Sequence, residues 1–498
     1  MAEAWCAAEE QASEFREFLR GAKRPSGGAK AGADPQRAVD LLLPGLHDAG
    51  NGERIVLLFS DRLRYCHPMR KWLHWDGRRW KADEDGTAMR LAKDAMAQAL
   101  HAAIQAGHES AEKFFLRSLD SRRLDGALKL AQCELPVLPD QLDADRDLLT
   151  VANGTLHLPT GALRPHSPGD LITKLAPVSF DPLAECPIFE TFIHHAMGRT
   201  PRASAAEEDR ARRRVQFLQV ALGYSCTGWT REKAIFIPYG PSNGGKTTLL
   251  STVQKILGDY SAQIQADSLM AARDRADANI LSDLADLRGA RFAVTSETEE
   301  GQYFSQARLK RLSQGMGRIK TVRKYENPIE FSESHKLWLD TNRRPRLRDA
   351  DDDATLNRLH PIPFEVSVPR EGQDRELPAK LMAEAAGILA WLAAGALAWY
   401  QRGLELLPEV AEAREVWRAE DDQVERFVED CCVRDADLEQ PAGELYRAYK
   451  KWCEETGEHT ILSAARLKQR LSAKGVSHRE TKTGNLYVGV RLKGAWTP

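Results

Sequence analysis

The residues best suited to chemistry lie in one stretch, Gly240-Pro241-Ser242-Asn243-Gly244-Gly245-Lys246-Thr247-Thr248. Two glycines spaced by four residues and followed by lysine and threonine let backbone N–H groups turn inward around a phosphate. Lys246 would reach the β- and γ-phosphates, and Thr247 would ligate Mg²⁺. This is a site for ATP or GTP. Such chemistry also needs an acid to hold Mg²⁺ and polarise a water. Arg291-Phe-Ala-Val-Thr-Ser-Glu297-Thr-Glu299 ends an apolar run in acids, with Glu297 nearest the run's end and Glu299 on the same side of an extended chain. A second apolar run, His335 to Asn342, ends where a γ-phosphate sensor would sit. Asn342 can bond phosphate and water without adding negative charge, whereas Asp340 would repel a phosphate. Arginines follow at 343, 344, 346, 348 and 358, any of which could serve a neighbouring subunit as a finger.

The elements needed to position these groups are legible around them. Ala234–Tyr239 reads as a buried strand, and apolar spacing from Thr247 to Leu257 reads as a helix, whose N-terminus favours phosphate. Between the two later strands, Arg318, Lys320, Arg323 and Lys324 alternate with apolar residues before a turn at Tyr325–Pro328. A solvated sheet edge would look the same. Its place between an acidic strand and a polar sensor strand favours a basic hairpin that grips nucleic-acid phosphates.

Composition bounds the rest. A chain of 498 residues holds two to four domains, and its net charge of −2 excludes a uniformly basic nucleic-acid coat. Eight cysteines without C-x-x-C spacing argue against a zinc finger or secreted disulfide scaffold and point to reduced thiols in a soluble, cytosolic protein. The first residues do not read as a signal peptide, and the apolar run Gly387–Tyr400 is too short to span a bilayer. Residues 1–37 read as a helix and flexible linker, and 38–180 as a mixed α/β domain. That domain starts with helix over 37–70, carries hairpin turns at Asp76-Gly77 and Asn153-Gly154, and has further helices at 88–106 and 111–131. Trp72, Trp75 and Trp80 are expected to cover a small core rather than stack bases; Asp143, Asp145 and Asp147 are expected to be loop acids rather than metal ligands. Residues 181–230 read as a helical collar, 231–365 as the nucleotide-binding core, 366–420 as a helical lid and linker, and 421–498 as three helices and a hairpin. The last is a winged helix-turn-helix with Arg466, Lys468 and Arg470 on its final helix.

Taken in order, Gly240…Lys246-Thr247, Thr295-Ser-Glu297, Lys310…Lys324, Trp338-Leu-Asp-Thr-Asn342-Arg-Arg-Pro345 and Arg358…Phe364 resemble the motifs of superfamily 3 helicases. The similarity is to the phage, satellite and plasmid primase–helicases, and reaches upstream through Trp75–Trp80 and Ala152–Gly161 and downstream through Leu445–Cys453. It implies an α/β fold with an AAA+-like parallel P-loop sheet, flanked by a mixed α/β domain and a winged helix. It also implies ATP and Mg²⁺ as cofactors, a homo-hexameric ring and 3′-to-5′ movement on single-stranded and forked DNA. Lys246 and Thr247 become phosphate and Mg²⁺ ligands, Glu297 the water-polarising acid, Asn342 the sensor, Arg358 the trans finger, and Lys324 with Lys320 and Arg323 the DNA contacts. Residues Asn243-Gly244-Gly245, Gly315-Met-Gly317 and Leu356-Asn357-Arg358 depart from the usual pattern. No primase catalytic domain is expected ahead of residue 38, so a separate primase and origin DNA become possible partners. Primer synthesis within 38–180, or origin binding without unwinding, are the alternatives.

Overall fold

The computed structural model describes residues 40–200, 203–270, 284–295, 303–321, 329–341, 346–347, 352–456, 461–481 and 484–496. Two compact units emerge. One comprises the described residues up to Ala184 with Lys255–Tyr260 and Lys320–Ser332; the other comprises the remainder.

In the first unit, helix α1 (Asp48–Phe59) leads into a meander of β1 (Leu63–Cys66), β2 (Lys71–Trp75) and β3 (Trp80–Ala82). Three helices follow, α2 (Thr87–Gln105), α3 (Glu109–Ser118) and α4 (Ser121–Ala131). A second meander closes the unit, with β4 (Leu148–Val151), β5 (Gly154–His157) and β6 (Ala162–Arg164). Both hairpins turn at the expected Asp-Gly and Asn-Gly pairs. Leu63–Cys66, however, is a strand and not the end of a helix. It pairs with β2, which puts Tyr65 opposite Trp72 with ring centroids 5.1 Å apart, and cross-strand aromatic contact outweighs helical spacing in so short a segment. Trp80 is 1% exposed and donates its indole N–H to Pro168 O, with half-buried Trp75 beside it (ring centroids 5.9 Å), while half-buried Trp72 packs against the helical core instead. Asp143 accepts the backbone N–H and hydroxyl of Thr173, tying two distant segments together, and Asp145 accepts the N–H of Asp147 in a local turn. Arg54 is fully buried. Its guanidinium donates to the carbonyls of Leu41, Pro44 and Gly45 and lies over Phe115, and burial pulls its pKa down to about 10.

The second unit starts with α5 (Pro187–Ala196) and α6 (Ala205–Cys226). Then come β7 (Ile235–Tyr239), α7 (Lys246–Leu257), β8 (Ser261–Ile264), β9 (Phe292–Thr295) and α8 (Gln306–Leu312). The chain next forms a separate hairpin, β10 (Arg318–Thr321) and β11 (Ile329–Ser332), which from Lys320 onward belongs to the first unit, and returns to the second with β12 (Lys336–Leu339), the short α9 (Asp353–Leu356) and β13 (Leu359–Pro363). Five strands form one parallel sheet in the order β13-β7-β12-β9-β8. Its inner strands are apolar and buried throughout, as a sheet covered on both faces requires. Trp338 sits at the centre, between Phe236 (4.5 Å) and Phe292 (5.5 Å), with its indole N–H on Ser225 Oγ. At the other edge of the core, Arg291 and Lys336 donate to the carbonyls of Cys226 and Thr227, so two cations meet the negative end of α6.

Beyond β13 run α10 (Leu377–Ala383), α11 (Ala385–Arg402) and α12 (Pro408–Asp421). Among the described residues no single helix is long and apolar enough to cross a membrane. The chain ends in α13 (Gln423–Cys431), β14 (Cys432–Pro441), α14 (Ala442–Thr456), α15 (Ala464–Ala473), β15 (Ser477–Thr481) and β16 (Gly484–Leu492). Helix, strand, helix, helix and an antiparallel hairpin, with strand order β14-β16-β15, make a winged helix. Strand β14 is absent from the sequence reading because its acidic middle is exposed and carries no apolar alternation.

His335 and His360 are buried at 2% and 6% exposure, and desolvation pushes their pKa values down to about 4 and about 3. The unfolded chain therefore binds protons below about pH 6.5 that the folded chain refuses. Stability is full above that value and is lost as pH falls through it. Urea midpoints measured from pH 7.5 downward should show each histidine costing about 2 kcal/mol by around pH 4.5, with a smaller loss in His335→Gln.

Candidate nucleotide site

Strand β7 carries its apolar run through the middle of the sheet and stops at Tyr239. The chain then turns at Gly240 (φ +138°), passes Asn243 (φ +63°) and Gly245 (φ +91°), and enters α7 at Lys246. Asparagine tolerates the left-handed region better than most residues, which accommodates the departure from the usual loop sequence. The terminal glycines are required for space as well as for angle. A Cβ at Gly240 would lie 2.1 Å from Phe364 O, and one at Gly245 would lie 2.7 Å from the Phe192 ring. The loop is thus held between α5 and the segment leaving β13. On that side Ser367 Oγ donates to Ser242 O, and Val368 N–H donates to Asn243 O.

Lys246 is 3% exposed, and its ammonium bridges the loop carbonyls of Gly240 (2.9 Å) and Pro241 (2.8 Å). The Thr247 hydroxyl donates to Asp340 Oδ2 at 2.7 Å. An ammonium, a hydroxyl and the open N-terminus of a twelve-residue helix converge on one loop. That donor set fits a polyphosphate with a hard, oxygen-liganded cation such as Mg²⁺.

The structure brings Gly240 to Thr248 together as the sequence predicts, and adds Asp340, which sequence reasoning set aside as a rival sensor. The sheet explains the addition: β12 neighbours β7, an adjacency that sequence order does not reveal, and the carboxyl ends of parallel strands open on one side. Arg358 is placed elsewhere. It precedes β13, its carbonyl accepts the Ile235 N–H at the start of β7, and its guanidinium donates to Ala354 O. Gly240 lies at the far end of that strand, about 16 Å away along five residues. Within one chain Arg358 therefore does not meet Lys246. Glu297, Glu299, Asn342, Arg343, Arg344, Arg323 and Lys324 lie outside the described residues. Lys320 lies on β10, where it and Arg318 are exposed while Ile319 and Thr321 are buried. The outer strand β11 packs against the turn Pro139–Gln141 of the same unit.

Residues 52–198 match the family described as D5 N terminal like, and residues 419–488 match the family described as poxvirus D5 protein-like. The protein named "Putative helicase 022R" of Frog virus 3 (isolate Goorha) is 23% identical over 395 residues, covering 65% of this chain. The chain spans 40% of that relative's length. Among solved structures, an apo form of the NrS-1 C-terminal region aligns at 13% identity and TM-score 0.47, covering 84% of each chain. A second apo structure of that region (residues 305–718) aligns at 12% identity and TM-score 0.45, covering 88% of this chain and 98% of the other.

Gly240→Ala should collapse this site selectively. Binding of a fluorescent ATP analogue should weaken at least tenfold, while the urea midpoint should report a cost of about 1–3 kcal/mol for overpacking against Phe364. Unchanged binding would show that the loop does not hold the ligand.

Proposed function

We propose that this chain, a superfamily 3 primase–helicase-like protein, is an ATP-driven motor that moves along single-stranded DNA and separates forked duplexes. The observation that carries this reading is the strand–loop–helix at Gly240–Thr248, with Lys246 and Thr247 set at the carboxyl edge of a parallel sheet. ATP with Mg²⁺ supplies a phosphoanhydride whose hydrolysis releases the free energy for movement. Lys246 exchanges its two loop carbonyls for phosphate oxygens, so its positive charge is held ready without a free, solvated side chain. Thr247 presents its hydroxyl to the cation. Glu297, following β9, orients the attacking water, and Asn342, following β12, reports the state of the terminal phosphate.

A homo-hexameric ring fits the position of Arg358. It stands far from its own loop, so its charge can act only on the nucleotide of an adjoining protomer. The exposed Arg318 and Lys320, with Arg323 and Lys324 next in the sequence, are suited to DNA phosphates. Binding should therefore be sequence-independent and weaken steeply with salt. The winged helix, with Arg466 and Lys468 exposed on α15, is the element suited to duplex origin DNA. Its place of action is the cytoplasm of the host, where a separate enzyme would supply primers. The carboxylates of Asp143 and Asp145 are engaged in hydrogen bonds to Thr173 and to the Asp147 N–H, which argues against primer synthesis at those two acids.

Forks with a labelled strand test the proposal. Displacement should require ATP and Mg²⁺, favour a 3′ tail over a 5′ tail, and vanish in Lys246→Ala. Lys324→Ala should keep ATP turnover and lose displacement. Displacement by Lys246→Ala at the parent rate would refute the motor assignment.

A further inference from the structure

We propose that Asp340 positions the metal of this site by orienting the Thr247 hydroxyl, an inference that rests on the nucleotide-binding reading above. A threonine hydroxyl has one proton and two lone pairs. With the proton committed to Asp340 Oδ2 at 2.7 Å, the lone pairs are turned away from the carboxylate and left for a cation. Hydrogen bonds of this kind fix a ligand's rotamer and increase its electron density toward a cation.

The placement follows from the sheet. β12 lies directly beside β7, and β9 is one strand further out. Pairing of Leu337 with Ile235 and of Trp338 with Phe236 sets β12 in register, so its carboxyl end emerges beside the loop. Asp340 is the first residue past that end, and it is only 6% exposed. A carboxylate so sheltered is costly unless hydrogen bonds or a cation compensate it. Near a γ-phosphate it would repel; behind a metal ligand its negative charge strengthens the hold on the cation. Asp340 is thus a positioning residue for Mg²⁺ rather than a phosphate sensor.

The test uses the full chain, a fluorescent ATP analogue and Mn²⁺ as the spectroscopic probe. Asp340→Asn keeps the size and an acceptor but removes the charge, and Asp340→Ala removes both. Each is titrated with nucleotide in EDTA, which monitors an intact loop, and then with Mn²⁺ by electron paramagnetic resonance at saturating nucleotide. The expected result is EDTA binding within about twofold of the parent and a Mn²⁺ requirement raised about 10–100-fold. An unchanged Mn²⁺ requirement in a variant that binds nucleotide in EDTA would overturn the proposal. So would loss of EDTA binding in both variants, since the carboxylate would then be holding the loop itself. If the parent chain binds no nucleotide with or without metal, the nucleotide-site reading fails instead.

Discussion

The nucleotide site depends on one backbone constraint, the pairing of β7 along both edges. On one side it runs in register with β13 from Ile235 opposite Leu359 to Tyr239 opposite Pro363; on the other it pairs with β12 at Ile235 and Phe236. Parallel strands direct all their carboxyl ends to one side, so this pairing decides what the loop after Tyr239 will meet. It meets the Phe364 carbonyl and the Asp340 carboxylate. A shift of one residue in the β13 ladder would displace the first, and a shift in the β12 ladder the second.

The sheet can hold that register because its centre is packed around Trp338. Aromatic neighbours on both adjacent strands and a buried hydrogen bond to Ser225 leave the indole little freedom to move. Charge is handled separately, at the opposite end. Lys336 and Arg291 are buried, yet each finds backbone carbonyls at the end of α6. Lys246 is satisfied in the same way at the loop, by carbonyls that it can give up. Arg291 and Lys336 are tied to the end of α6, Lys336 also to Ser334 O nearby in sequence, whereas Lys246 is bonded to the carbonyls of the loop that precedes it.

Much of this was legible in the residues alone. Continuous apolar runs ending in glycine, acid or asparagine marked the inner strands, and the lysine–threonine pair marked the helix start. Asp-Gly and Asn-Gly marked two hairpins, the first through a positive φ at Gly77 and the second with Gly154 already paired to Val151 in the ladder. The failures have physical causes. Leu63–Cys66 is too short for periodicity to tell strand from helix, and β14 is an exposed acidic strand without alternation. Asp340 was judged only against a phosphate, because sequence order does not reveal that its strand lies beside the P-loop strand. Arg358 belongs to a motif whose order is legible in the sequence, but sequence order does not reveal that it lies at the start of β13, at the opposite end of the sheet from Gly240.

Hydrogen exchange at the backbone amides of Gly240–Thr248, followed with and without ATP and Mg²⁺, tests the central claim most directly. Ligand-dependent slowing of these amides by about tenfold or more, absent in EDTA-treated protein without nucleotide, is the predicted result. Exchange there that ignores ATP and Mg²⁺, or protection confined to some other part of the chain, would contradict it.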